Sequence, residues 1–207
     1  MRIVIFGAGG RTGSAVVAEA TARGHHVTSL RGADADVTDP AAVARAASGQ
    51  DVAIAAVAPV DADPRAFFRA AADGLVTGLQ SAGVTRLVWV SIASLLPDAS
   101  GVPAVDTKGF PAEYRPFSQG HRIALERFRS SDLRWTAVSP AGDFAPDTSP
   151  IGGYALTEDG DLTSRVTRAD HARALVDLAE RSDLRAKHFG VVPSSPAEKA
   201  SIAPGER

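Results

Sequence analysis

The most constraining stretch of this chain is Met1–Leu30. Arg2–Phe6 (RIVIF) is a short apolar run of the kind that forms a strand buried on both faces. It leads straight into Gly7-Ala8-Gly9-Gly10-Arg11-Thr12-Gly13; Ser14–Ala22 (SAVVAEATA) then reads as a helix stopped by Gly24, and His25–Leu30 (HHVTSL) as a second strand. Strand, glycine turn, helix and strand in that order make the βαβ unit whose turn holds a dinucleotide pyrophosphate. In such a unit Gly7 permits the tight turn, Gly10 lets backbone approach the phosphates, and Gly13 lets the helix pack close to the sheet. The free N–H groups at the helix start, on its positive dipole end, then face the anion. A glycine triplet alone is a weak signal, but here both flanks agree with it.

Composition bounds the rest. A chain of 207 residues is the length of one domain with at most a modest appendage, and 44% apolar residues supply a full core. The formal net charge of -2 and the lack of a basic cluster argue against a nucleic-acid partner. Zero cysteines remove disulfides, thiolate catalysis and cysteine-bound zinc together. No His/Asp/Glu grouping shows ligand spacing, so no metal site is expected. A strand begins at the second residue, so no signal peptide is expected, and no apolar run approaches a membrane span. These features predict a soluble, cytoplasmic protein.

After the second strand, Arg31–Val37 (RGADADV) runs almost at once into Thr38-Asp39-Pro40, an N-cap signal with proline in the first helical turn. A doubly wound sheet normally spends a whole helix between its second and third strands, so that crossover is expected to be missing or reduced to a turn. Pro40–Ser48 reads as a helix, Val52–Ala58 as a buried strand, Arg65–Ala82 as a long helix capped by Asp63, and Arg86–Ser91 as the next strand. Ile92–Gln119 breaks the rhythm with four prolines and follows a strand's carboxyl end, where α/β ligands sit. Gly120–Ser130 is expected to be helical, Leu133–Ser139 a strand, Ala141–Ser164 a small lid, Arg168–Arg181 a helix and His188–Val192 the last strand. Pro193–Arg207 is expected to be a flexible tail. The fold class is therefore α/β: a Rossmann-type doubly wound parallel sheet, one domain over residues 1–192, with substrate loops at about 92–119 and 141–164.

Gly7-x-x-Gly10-x-x-Gly13 has the spacing of extended and atypical short-chain dehydrogenases. With Asp106–Glu113 (DTKGFPAE), Leu133–Pro140 (LRWTAVSP) and Ser164–Asp177 (SRVTRADHARALVD), the chain resembles the NmrA-like NAD(P)H-binding proteins from Met1 to about Val192. Within them it is most similar to bacterial proteins named NADH-flavin reductases and to biliverdin IXβ/flavin reductase. The resemblance implies that Gly7, Gly10, Arg11, Thr12 and Gly13 line the pyrophosphate and adenosine phosphate. It places Asp36 and Val37 beside the adenine, and Ala56, Val57, Ala58 and Pro59 near the ribose and nicotinamide. Ser139 and Pro140 would lie against the nicotinamide. In relatives an arginine after strand two, followed by a helix, often grips the adenosine 2′-phosphate; with that helix lost, Arg31 or a later arginine takes the part.

The residues themselves favour NADP(H) over NAD(H). A guanidinium matches a 2′-phosphate in charge and fork geometry, whereas an acid at the end of strand two favours the free ribose diol. Strand two ends in Arg31 with no acid before it, and Arg11 adds a second charge; Asp34, free to swing toward the ribose, is the counter-argument. The Tyr-x-x-x-Lys pair of most short-chain dehydrogenases is missing, because Tyr114-Arg115-Pro116-Phe117-Ser118 has serine at the lysine position. Pro116 further argues against a helix there. Ser91, at a strand's carboxyl end, and His121, at the start of the helix after the long loop, remain as catalytic candidates, with Ser94 a weaker substitute; a histidine titrates near neutral pH and suits proton delivery. His171 reads as a solvated helix residue.

A flavin or quinone needs hydride alignment and an apolar stacking platform, while an isolated ketone needs a positioned acid. The expected function is thus an NADPH-dependent reductase of a flavin, quinone or similar conjugated small molecule. Leu95, Leu96, Phe110, Phe117 and Phe144 are the candidates for its apolar wall. The alternatives are a non-catalytic NAD(P)-sensing regulator and a tailoring reductase, isomerase or cyclase acting on a larger metabolite. The expected partner is a small-molecule acceptor, with no nucleic acid and no membrane; the oligomeric state is left open.

Overall fold

A computed structural model describes residues 1–32, 34–146 and 152–194. In chain order, β1 (Arg2–Phe6) is followed by α1 (Arg11–Ala22) and β2 (His26–Leu30). The second unit is α2 (Pro40–Ala47), β3 (Val52–Ala55), α3 (Pro64–Ser81) and β4 (Arg86–Val90). Then come α4 (Arg115–Arg129), β5 (Arg134–Pro140), β6 (Asp143–Phe144), β7 (Tyr154–Thr157), β8 (Arg165–Val166), α5 (Arg168–Glu180) and β9 (Lys187–Pro193). Three helix starts carry side-chain caps, Asp39 and Asp63 as the sequence announces and Thr167 in addition. Asp39 accepts from Ala41 N at 2.9 Å, Asp63 from Ala66 N at 2.9 Å, and Thr167 from Asp170 N at 3.0 Å.

The main sheet has the order β2-β1-β3-β4-β5-β9-β7, parallel throughout except that β7 runs antiparallel to β9. Alternation along each strand sends side chains to two cores. Ile3, Ile5, Val88 and Val138 meet the side of α1 and α5; Val4, Phe6, Trp89 and Ala137 meet the side of α2, α3 and α4. This is the doubly wound Rossmann-type domain the hydrophobic pattern predicts. The crossover expected to be missing or reduced to a turn is present: α2, a helix of two turns, connects β2 to β3, which lie on either side of β1, so β2 is the sheet's outer strand.

The segment after β5 adds little bulk. β6 and β8 form a separate parallel pair, and β7 lies on the edge of the main sheet. Tyr154 on β7 donates to Asp177, which also accepts from Arg23 at the end of α1, so the strand is tied to both helices beneath it. Burial and the Asp177 carboxylate raise the Tyr154 phenol well above its usual range. Part of the expected lid, residues 147–151, and the expected tail from residue 195 onward lie outside the described residues.

Two further expectations are corrected here. The fourth helix starts at Arg115, not Gly120, with Pro116 in its first turn, where the missing N–H costs nothing. His121 is consequently not a helix-start residue. It lies inward, on the stripe of Ser118, Leu125 and Phe128, and is 3% exposed. His171 is likewise fully buried in the first turns of α5 rather than solvated.

Candidate functional site

The glycine turn has a steric reason at two of its three positions. Gly7 has φ +80°, and a Cβ there would stand 2.1 Å from Ala56 O. A Cβ on Gly13 would stand 2.1 Å from Gly7 O, because α1 crosses the turn at backbone distance. Gly10 differs: its Cβ would meet only Gly7 O at 3.4 Å, so the protein itself leaves that direction open. No side chain caps α1, and its first backbone bond runs from Ser14 N to Gly10 O at 2.8 Å. The amides of Arg11, Thr12 and Gly13 therefore point out of the helix without an acceptor among the described residues, a ready anion seat.

Beside this turn lies a cleft of about 570 Å³. Gly7, Gly10, Arg31, Asp36, Val37, Ala56, Val57, Ala58 and Pro59 all line it. The Arg31 side chain runs along the turn, its Cγ 3.4 Å from where a Gly9 Cβ would be. Asp34 does not swing toward the cleft; its carboxylate accepts from the Arg31 amide at 2.8 Å. Asp36 accepts from the Thr38 amide at 2.9 Å and hydroxyl at 2.7 Å, which holds its carboxyl below the usual range. Arg11 faces a different cleft, shared with Arg168, whose guanidinium lies 4.5 Å over the Phe144 ring.

A further cleft of about 360 Å³ opens beyond the carboxyl end of β4. Ile92, Phe110, Tyr114, Phe117 and Leu162 give it an apolar lining. Asp143 and Arg165 stand at its charged side, and Ser94 and Ser118 share a hydrogen bond of 2.9 Å in its wall. The two clefts have a common partition. Phe67 of the first and Phe117 of the second both pack edge-on against the buried Phe68, each with ring centroids 5.3 Å away.

Ser91, His121, Ser139 and Pro140 line neither cleft. Ser91 Oγ and His121 Nδ1 are buried and have no hydrogen-bond partner, and His121 sits among Phe68, Trp89 and Phe117. Burial first, and the neighbouring His188 second, push its pKa down to about 3. Neutral and enclosed, it is no proton donor for a ligand in the cleft. Ser139 is fully buried, its Oγ 2.9 Å from His188 Nε2, and Pro140 is buried beside it. Of the serines proposed, Ser94 is the one that lines the cleft. Among the apolar candidates, Phe110 and Phe117 line it, Leu96 is buried, and Phe144 packs on His171. Tyr114 stands exposed at the lip, and Leu162 was not foreseen because it lies in an aperiodic stretch. Among the described residues no group of His, Asp and Glu could hold a metal ion, and no helix is long and apolar enough to cross a membrane.

A parallel sheet with a glycine turn, an uncapped helix start and a cleft at the carboxyl ends of its strands defines a Rossmann-type dinucleotide protein. The chain belongs to the NAD(P)H-binding family, whose sequence pattern it matches over residues 7–182. It is 29% identical to the Bacillus subtilis (strain 168) protein YwnB over 93% of this chain and 98% of that one. A Burkholderia pseudomallei protein described as a candidate exported protein is 33% identical, with TM-score 0.80, over 93% of this chain and 100% of the other. A Streptococcus pneumoniae TIGR4 protein described as a candidate NADH-flavin reductase is 28% identical, with TM-score 0.81, over 94% and 100% respectively.

Proposed function

We propose that this chain is a cytoplasmic, NmrA-like oxidoreductase that uses NADPH to reduce a flavin, quinone or similar conjugated acceptor. The observation that carries the reading is the pair of clefts separated by one aromatic partition, a nucleotide cleft edged by Arg31 and an aromatic cleft past β4. The open direction at Gly10 and the free amides at the start of α1 fit a pyrophosphate. Bound NADPH supplies a hydride. Arg31 offers its guanidinium to the 2′-phosphate, and Asp34, engaged in its own turn, does not compete for the ribose. Phe110, Tyr114, Phe117 and Leu162 provide faces against which a planar ring system stacks. The cleft opens to water, so solvent can deliver the proton that a conjugated acceptor needs, with Ser94, Ser118 and Tyr114 as the hydroxyls in its lining.

Titration with NADPH and NADH, followed by addition of flavin or quinone while the 340 nm absorbance is watched, tests this directly. Acceptor-dependent oxidation of NADPH is expected. Tight binding with no oxidation by any acceptor favours a nucleotide-sensing regulator, a reading to which the burial of Ser91 and His121 lends weight. Arg31→Ala is expected to weaken NADPH binding roughly ten- to a hundredfold, the worth of a charged hydrogen-bond pair, and to leave NADH within about twofold. Equal loss for both nucleotides would assign the 2′-phosphate to another cation.

A further inference from the structure

We infer that Gly74, on α3 and outside the cleft, is a positioning residue for the nucleotide, because it lets the backbone of residues 36–38 settle against the helix and so fixes the wall made by Asp36 and Val37. The inference rests on reading the cleft as the nucleotide site.

The stretch from Arg31 to Asp39 has no helix of its own to anchor it, yet it supplies the adenosine side of the cleft. Within itself it is held by the Asp34 and Asp36 carboxylates, each bonded to a residue two or three positions away. Those bonds shape the segment but do not attach it to the rest of the fold. Val37 and Ala35 pack into the core on the side of α2, α3 and α4, and the backbone at Val37 and Thr38 lies directly against α3. A Cβ at position 74 would lie 2.3 Å from Val37 O, 3.1 Å from Thr38 C and 3.2 Å from Thr38 Cα. These are backbone atoms, so no rotamer change relieves the clash. A methyl group there would push the Val37 carbonyl out by about 1 Å before ordinary contact is restored, and the packed interior gives it nowhere else to go. Asp36 and Val37, both in the cleft's lining, would move with it.

Gly78, one turn further along α3, provides the comparison. Its Cβ would lie 2.5 Å from Val43 Cβ and 2.6 Å from Pro40 O, both in α2, which does not line the cleft. Both glycines let chain pack close to α3; only one of them stands behind the nucleotide wall.

The test compares the unsubstituted protein with Gly74→Ala and Gly78→Ala, using NADPH and adenosine 2′,5′-bisphosphate as probes and thermal unfolding to follow stability. Both variants are expected to lose stability, but only Gly74→Ala is expected to weaken both probes, by about tenfold or more. Gly78→Ala should bind them within about twofold of the unsubstituted protein. Unchanged binding by Gly74→Ala, or equal weakening in the two variants, overturns the inference while leaving the nucleotide site intact. Failure of the unsubstituted protein to bind either probe overturns the nucleotide reading and this inference with it. If Gly74→Ala does not fold, amide NMR of the unsubstituted protein decides. The bisphosphate should shift Gly74 together with Asp36–Thr38 and leave Gly78 in place, and a silent Gly74 overturns the coupling.

Discussion

Acidification from pH 8 to pH 5 is expected to remove about 4 kcal/mol of folding stability, a large share of the margin of a typical domain. The main cause is two buried histidines, His121 and His171, with the half-buried His188 adding a smaller share. Burial is the first reason for each depressed pKa: about 3 for His121, about 4 for His171 and about 4 for His188. A smaller contribution comes from a nearby positive or ionisable group, which is His188 for His121, Arg168 for His171 and Arg129 for His188. The nearby Val138 carbonyl works the other way at His171, though neither ring nitrogen is in hydrogen-bonding geometry with a partner. In the unfolded chain each imidazole takes a proton below about pH 6.5, while in the folded protein it does so only near pH 3 to 4. The stability is therefore complete above pH 6.5 and is lost as the pH falls toward the folded values. By pH 5 each of the two buried rings has cost about 2 kcal/mol. Urea unfolding at a series of pH values should show a slope of roughly 2 to 3 kcal/mol per pH unit between about pH 6 and 4.5. Replacing His121 with Phe, which suits its aromatic surroundings, should reduce that slope by roughly 40%. A flat profile across this range would mean that these rings are reached by water.

The second large effect concerns the glycine turn, where three similar substitutions should behave differently. Gly7→Ala puts a side chain at φ +80° and 2.1 Å from Ala56 O, and Gly13→Ala brings one 2.1 Å from Gly7 O. Each is expected to cost more than about 2 kcal/mol of stability and to abolish nucleotide binding, since β1, α1 and β3 can no longer meet as they do. Gly10→Ala meets nothing closer than 3.4 Å and has an extended φ of -76°. It should fold with its stability within about 0.5 kcal/mol of the original, yet bind NADPH at least about tenfold more weakly, because its methyl group takes space the phosphates need. Denaturant unfolding alongside nucleotide titration separates the two outcomes. A Gly10→Ala protein that binds normally would remove the pyrophosphate from this turn.

Local signals in this chain are strong wherever one short stretch decides its own geometry. The strands from Arg2, Val52 and Arg86 and the caps Asp39 and Asp63 were legible because periodicity and turn chemistry act over a few residues, whereas α2 was read as a helix but not as the crossover it forms, because strand order is set by tertiary pairing. The fourth helix was misplaced by treating Pro116 as a breaker when it occupies a first turn. That error carried His121 with it. Counting from Ser118 through His121 and Leu125 to Phe128 shows one inward stripe, a signal present in the sequence but hidden by the wrong starting point. Ser91 and Ser139 could not be judged from the strand ends alone, because the residues that cover them come from distant parts of the chain. The same holds for Leu162 and for the Phe67–Phe68–Phe117 partition, which exist only after tertiary packing.

The way the two clefts draw on the chain has a consequence for descent. The nucleotide cleft is assembled from residues between Phe6 and Phe67, the other from residues between Ile92 and Arg165, and no residue lines both. Inheritance can therefore act on them separately. On the proposed reading, replacement of the aromatic lining would alter what is accepted without touching a residue of the first cleft. Phe68 is the joint between the two histories, since its ring is packed from both sides.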